Sequence, residues 1–272
     1  AAGSAYVVFG AANFPGSTNV STLNGTSGFR LDGVDTDDRA GQSVAGDGDV
    51  NGDGYADILV GAIYADPGGD GDAGETYVVF GGDFTDAVTH AGTSSADTLV
   101  GDATANVIVA GQGNDTLDGN GGADVLYAAE GDDVLQISNT AFARVDGGSG
   151  DDTLALDGSG ITLDLTTIAD NKVRGIELID LTGTGANTLI LNVLEVLNLS
   201  DTSNSLAVTG DADDVVSIGS EWTYSGSVDW PSDGQAWRFI NGTAELLVQD
   251  TIALDHPFVV DTVADTVDAN PG

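Results

Sequence analysis

Between Gly92 and Gln136 the chain repeats every nine residues, five times without a gap. The units are Gly92–Val100, Gly101–Val109, Ala110–Asp118, Gly119–Tyr127 and Ala128–Gln136. Their sixth residues are Asp97, Asn106, Asp115, Asp124 and Asp133, and their eighth are Leu99, Ile108, Leu117, Leu126 and Leu135. A degenerate unit, Ile137–Val145, and one extra residue, Asp146, precede a further good unit, Gly147–Ala155, with Asp152 sixth and Leu154 eighth. One apolar position per nine residues, set among glycines, leaves room only for very short strands with the eighth residue pointing inward. Two units then make one coil of 18 residues with a turn on each side. Same-side turns stack Asp97, Asp115, Asp133 and, after the one-residue slip, Asp152; Asn106 and Asp124 stack on the other side.

The turn chemistry points to a cation. Glycines at the second and fourth positions allow positive φ and let carbonyls approach an ion closely. Aspartate at the sixth adds a hard oxygen ligand, and calcium takes roughly 6–8 oxygens from carboxylates and carbonyls together. The expected ligands are Asp97, Asp115, Asp124, Asp133 and Asp152, with the backbone at Gly111, Gly113, Asn120, Gly122, Ala129, Gly131, Gly148 and Gly150. The first two units lack the turn glycines and form an edge with poorer sites. Stacked carboxylates repel without a cation, so folding is expected to be coupled to binding.

Composition agrees. Of 272 residues, 44 are acidic and 6 basic, a net charge of −38. Nucleic acid and anionic membrane surfaces need clustered Lys and Arg, so both are excluded as expected partners. No apolar run approaches the roughly 18 residues of a membrane span. With no cysteine, disulfides and thiolate metal sites are impossible. With Ala1 in place of an initiator Met, a processed or excised chain is the expectation.

The repeat resembles the RTX, or hemolysin-type, calcium-binding family, whose unit is GGxGxDxUx with U apolar. The resemblance covers roughly residues 92–155. It implies a parallel β-roll, several calcium ions and export by type I secretion, with the roll folding outside the cell.

The N-terminal segment carries a second acidic loop, Asp49-x-Asn51-x-Asp53-Gly54-x-x-Asp57. It begins like an EF-hand loop, but Val60 stands where the bidentate Glu is needed. Asp49, Asn51, Asp53, the Tyr55 carbonyl and Asp57 are the expected ligands, with Asp57 closing the site. Ile58-Leu-Val60 leaves the loop as a strand. With Gly61-Ala62 and Tyr77-Val-Val-Phe80-Gly81 this resembles an FG-GAP repeat, the blade unit of integrin-type β-propellers. Gly3-Ser-Ala-Tyr6-Val-Val-Phe9-Gly10 resembles the last strand of a preceding blade. Propellers need roughly 4–8 blades, so a single blade must pack on the roll, be completed by other chains, or belong to a longer protein.

Beyond the roll, Ile176–Leu181 and Leu194–Leu199 lie 18 residues apart, aligning Glu177 with Glu195 and Asp180 with Asn198. Thr182–Ile190 and Thr209–Ser217 are degenerate units with Asn187 and Asp214 sixth. The solenoid is expected to continue with the same spacing and fewer ions. Trp222, Trp230 and Trp237, with Tyr224 and Phe239, suit a hydrophobic cap on the solenoid end; a platform for sugar or peptide is the alternative.

Catalytic patterns fail. His90 and His256 are the only histidines, HExxH is absent, and Gly41-Gln-Ser43-Val-Ala45 misses the nucleophile elbow by its last residue. The glycine-rich turns are too acidic to cradle phosphate. Asp229 and Asp233, near the tryptophans, are the leftover candidates for a glycosidase pair, and solvated loop residues describe them better.

The expectation is an all-β chain: an FG-GAP blade-like unit over 1–86, an RTX β-roll over 87–155, a β-solenoid extension with an aromatic cap over 156–255, and a tail or linker over 256–272. The expected function is a non-enzymatic, calcium-dependent structural module of a secreted bacterial surface protein, an adhesin, matrix or fibre component. Its expected partners are calcium and copies of itself or a surface ligand. Alternatives are the non-catalytic part of a secreted RTX exoenzyme and a carbohydrate- or peptide-binding module.

Overall fold

A computed structural model describes residues 2–9, 17, 19–23, 27–51, 55–67, 71, 73–82, 87–200, 203–230 and 234–255, with Asp47 described by its backbone alone. Asp53, Asp233, His256 and the tail 256–272 lie outside the described residues.

The nonapeptide units wind into two facing parallel sheets. One contains His90–Ala91, Val107–Gln112, Val125–Glu130, Arg144–Ser149 and Val173–Arg174, in that order. The other begins with Thr98–Val100, Thr116–Asp118, Val134–Ile137 and Thr153–Leu156. Register is set by the eighth-position residues, which face the core as expected. On the second sheet Leu99, Leu117, Leu135 and Leu154 pair in succession, and the ladder runs on through Ile179, Val208 and Val248. Ile108, Leu126, Val145 and Val173 form the facing ladder. Parallel strands covered on one face by such a ladder hold register firmly, because a one-residue slip would turn every leucine outward. Leu154 lies fully buried in mid-ladder. Leu154→Ala is expected to cost about 2–5 kcal/mol in denaturant unfolding of the calcium-loaded protein.

Past Leu156 the coil changes, and the expected 18-residue spacing does not continue. Neighbouring coils are 18 residues apart up to the strand Val125–Glu130, 19 apart at the extra residue, and then 25–29 apart until a hairpin lengthens them further. The added chain builds a third parallel sheet, Thr162–Asp164, Thr188–Leu191, Val215–Ile218 and Ala253–Asp255. Leu194–Leu199 is not a strand aligned with Ile176–Leu181; it lies in an α-helix, Val193–Leu199. The cause is local. The Asn192 side chain caps the Leu194 and Glu195 N–H groups, and Glu195 accepts from Asn192 Nδ2, a reciprocal cap that fixes the first turn. Asp180 accordingly pairs with Thr209 rather than aligning with Asn198.

An antiparallel hairpin, Thr223–Trp230 and Gly234–Asn241, extends the second sheet beyond its last parallel strand, Ala244–Gln249. Trp222 and Phe239 are buried in the core, and Trp237 packs against it. Tyr224 stays exposed with its ring 5.7 Å from that of Phe239. Two of the three tryptophans therefore serve the solenoid end rather than an open platform.

The N-terminal segment is a three-stranded antiparallel sheet, Ala40–Gly48, Asp57–Ala62 and Glu75–Val79, beside a two-stranded ribbon of Ser4–Val8 and Gly28–Asp32. Its buried core is Ala5, Ala40, Val60, Ala62 and Ala65, while Val44, Val78 and Phe80 are exposed. Alanines bury little apolar area, so this unit has little hydrophobic stabilisation of its own. It touches the roll where Gln112 Nε2 donates to the Asn51 carbonyl at 3.2 Å.

Candidate calcium sites

Each turn of the main stack hands one hydrogen bond to the next. The Asp97 N–H donates to Asp115 Oδ1 at 2.7 Å, Asp115 N–H to Asp133 Oδ1 at 2.6 Å, and Asp133 N–H to Asp152 Oδ1 at 2.9 Å. One oxygen of every carboxylate is thereby committed to the coil before it. The second oxygens of Asp115, Asp133 and Asp152 are buried and have no hydrogen-bond partner. Leaving one buried polar atom unsatisfied costs about 1–3 kcal/mol, and more when it is charged. Three such atoms in register on one edge fit a row of cations.

Backbone carbonyls crowd the same edge. Gly111, Gly113, Gly122, Gly131, Gly148 and Gly150 all have positive φ. A Cβ on Gly131 would stand 1.9 Å from the Gly113 carbonyl oxygen, one on Gly150 2.0 Å from that of Gly131, and one on Gly148 2.1 Å from that of Ala129. The carbonyls are thus stacked coil on coil beside the carboxylates. Among the described residues no three acidic or histidine side chains converge on one point. Each turn offers one carboxylate and several carbonyls, the donor mix that calcium accepts.

Asn120 and Ala129 hold the second position of their units without glycine, at φ 54° and 86°. Asparagine tolerates the left-handed region; alanine there costs roughly 1–2 kcal/mol. Glycine forfeits about 0.5–1 kcal/mol of chain entropy, so the strain wins narrowly. Ala129→Gly is expected to stabilise the calcium-loaded protein by up to about 1 kcal/mol, read as a rise in the denaturation midpoint.

Electrostatics follow burial. Desolvation raises the Asp133 carboxyl to about 6 and that of Asp152 to about 7, with neighbouring carboxylates adding to the rise and the backbone N–H donors opposing it. Asp115 and Asp124 are raised for the same leading reason. Asp97 sits on the exposed edge, where its Oδ2 accepts from Thr93 N and Oγ1 at 2.7 and 2.8 Å. In the absence of turn glycines a threonine closes that turn.

The opposite stack is short. Asn106 N–H donates to Asp124 Oδ1 at 2.9 Å, and Asn106 Oδ1 takes the Asp102 N–H at 2.8 Å. It ends at Asp124, because Phe142 of the next coil is buried and supplies no acid. In the third sheet the same ladder recurs in another chemistry. Ile161 N–H donates to Asn187 Oδ1, and Asn187 N–H to Asp214 Oδ1 at 2.8 Å. Asn187 Nδ2 donates to the carbonyls of Gly158 and Leu181, while Asp214 Oδ2 accepts the Asp211 N–H. An amide here satisfies the carbonyls itself and leaves no oxygen waiting for a cation.

In the N-terminal loop Asp57 is fully buried. Its Oδ2 accepts Val50 N–H at 2.6 Å and its Oδ1 accepts Gly81 N–H at 2.7 Å, so it ties the start of the loop to the end of the sheet. Asp49 and Asn51 stand exposed at the loop entrance and Tyr55 is half-buried at its exit.

Residues 91–126, 100–135 and 144–158 match the RTX calcium-binding nonapeptide repeat (4 copies), and residues 40–79 match the FG-GAP repeat. The chain carries RTX and FG-GAP repeats. RTX nonapeptide repeats bind calcium at multiple sites, and the orphaned oxygens of Asp115, Asp133 and Asp152 all fall within or beside the matched segments. No curated protein and no solved structure matches the chain. One ladder member escaped sequence reasoning. The Asp152 N–H donates to Glu177 Oε2 at 2.9 Å, which puts Glu177 next in the main stack rather than in line with Glu195. Its signal was Val173-Arg-Gly175, a restatement of Val145-Asp-Gly147.

Proposed function

We propose that this protein is a calcium-stiffened structural module of a secreted bacterial surface or extracellular protein, of adhesin, matrix or fibre type. The RTX and FG-GAP repeats support a calcium-binding module of extracellular type. The observation that carries the reading is the row of buried, partnerless oxygens on Asp115, Asp133 and Asp152. These carboxylates, with the carbonyls of Gly111, Gly113, Ala129, Gly131, Gly148 and Gly150, would hold the main row of ions. Asp124 with the carbonyls of Asn120 and Gly122 would hold an ion on the opposite edge. Asp97 would contribute to the poorer edge site. Asp49, Asn51 and Tyr55, braced by Asp57, would hold one in the FG-GAP loop. Bound calcium would supply charge neutralisation and cross-coil bonding, so that the rod is rigid where calcium is abundant and loose where it is scarce.

The division into blade, roll, solenoid extension and tail belongs to the same proposal. Self-association is part of it as well: neutralising a chain of charge −38 lowers the repulsion between copies. Calcium titration of EDTA-treated protein, followed by far-UV circular dichroism and light scattering together, tests both. A coil-to-β transition supports the module, and a concurrent rise in scattering supports assembly. A chain whose β signal ignores calcium is not such a module, and one that stays monomeric at high protein and millimolar calcium does not build fibres by itself.

A further inference from the structure

We infer that Glu177 closes the main stack with a calcium site of its own, shared with Asp152. The inference rests on the calcium reading of the RTX turns and extends it past the residues that match the repeat, which end at 158.

Three observations converge. Glu177 occupies the ladder position: Asp152 N–H donates to it at 2.9 Å, as the N–H groups of Asp97, Asp115 and Asp133 each do to the aspartate of the following coil. The turn before it is a stripped version of the RTX turn. Six residues, 147–152, separate the paired strands in the Gly147 coil, but only Gly175, Ile176 and Glu177 do so in the next. Gly175 keeps the place of Gly147: a Cβ on Gly147 would meet the Gly175 carbonyl oxygen at 2.0 Å and Asp152 Oδ2 at 2.6 Å. A Cβ on Gly101 likewise meets the Gly119 carbonyl oxygen and the sixth-position side chain. With the carbonyl-bearing loop gone, the acid is one methylene longer than aspartate, which restores its reach to the stack. Finally, Asp152 Oδ2 remains buried and partnerless although Glu177 is in place.

The last point separates a ligand from a plain end-cap. A cap needs only an acceptor for the Asp152 N–H, which a glutamine would provide without charge. Glutamate instead sets a second negative charge against the turn of a fully buried carboxylate, and like-charge repulsion there is costly unless a cation lies between them. Asp152, Glu177 and the carbonyls of Gly148 and Gly150 supply the hard oxygens, and water completes a coordination shell of roughly 6–8.

The test uses the full chain. Calcium stoichiometry and site affinities are measured by isothermal titration, with terbium luminescence as an independent count, on the wild type, Glu177→Gln and Glu177→Asp. Glu177→Gln keeps the hydrogen bond to Asp152 N–H; it is expected to bind one ion fewer than wild type, with the remaining affinities unchanged. Glu177→Asp keeps the charge but not the reach, and is expected to weaken one site at least tenfold. Wild-type stoichiometry and affinities in both variants overturn the inference and make Glu177 a cap, leaving the calcium reading intact. A wild type that binds no calcium overturns that reading and this one together. If Glu177→Gln fails to reach the wild-type β signal in saturating calcium, Glu177→Asp, whose charge is unchanged, decides alone.

Discussion

At pH 8 in EDTA the coils between His90 and Leu156 lose their β signal, and millimolar calcium restores it. Each ion held at a hundred times its Kd adds about 2.7 kcal/mol to the folded state, so a few sites decide whether the roll exists. The pH dependence reverses with the ion. In the calcium-free folded form Asp133 titrates near 6 and Asp152 near 7, both pushed up by burial, against about 4 in an unfolded chain. A raised folded value means that the folded state holds protons more tightly. That contribution to stability is complete below about pH 4 and is lost as pH rises through 6 and 7. Without calcium the roll is therefore more stable in acid than at pH 8. With calcium, protons compete for the same oxygens, so apparent affinity falls below about pH 7. The calcium-induced rise in Tm is largest at pH 8 and shrinks toward pH 4.5. A rise that stays constant over that range would falsify the assignment of Asp133 and Asp152 as ligands.

Gly131→Ala is expected to cost as much as truncating a core leucine, and it strikes the calcium turns as well. Gly131 has φ +141°, and its added Cβ would lie 1.9 Å from the Gly113 carbonyl oxygen and 2.6 Å from that carbonyl's carbon. Both contacts are rigid backbone of the neighbouring coil, so relief requires the coils to separate, which also breaks the carbonyl stack. Left-handed strain costs roughly 1–2 kcal/mol, and overpacking adds about 1–3 kcal/mol. The expected loss is about 2–5 kcal/mol together with a weakened calcium response, measured by denaturant unfolding at fixed calcium. Gly160→Ala is the matched control. It shares the positive φ, +71°, but has no atom within 4 Å of its Cβ, so it should lose only the strain. Equal losses at the two positions would mean that the close approach of coils contributes nothing.

How much of this was legible beforehand follows from where the physics is local. The ladder of Asp115, Asp133 and Asp152 and the leucines beside it recur every 18 residues with one single-residue slip, and so regular a spacing in sequence becomes a stack in space. The glycines announce positive φ because other residues avoid it. The third sheet and the helix were not legible from apolar pattern alone. Ile176-Glu-Leu-Ile-Asp-Leu181 and Leu194-Glu-Val-Leu-Asn-Leu199 have nearly the same sequence of apolar and polar residues. A six-residue stretch of this kind suits a buried strand or a short helix equally. Asn192, just outside the stretch, decides for helix by capping it. Glu177 was hidden for a related reason: counting in eighteens fails once a turn has been shortened, while the Val-x-Gly before it survives. The first two units were expected to form an edge with poorer sites because their turn glycines are missing, and at the first of them Thr93 N and Oγ1 donate to Asp97 Oδ2.

As far as the Gly147 turn the coils keep their length on one edge and change it on the other. From the strand Val107–Gln112 to the strand Arg144–Ser149, every turn on the edge of Asp115, Asp133 and Asp152 is alike. The extra residue at the slip and the third sheet both enter on the opposite side, after the Asn106 and Asp124 stack has ended. An edge built of repeated ion-binding turns holds its length for as long as those turns repeat and shortens only where Glu177 replaces the glycine loop, whereas an edge filled only by side chains and amides drifts freely. The molecule is in this sense built on a ruled margin. New segments, natural or engineered, can be spliced near Ser138–Ala141 without disturbing the spacing of the ions, while a single inserted residue between Gly148 and Asp152 would put every later turn out of step.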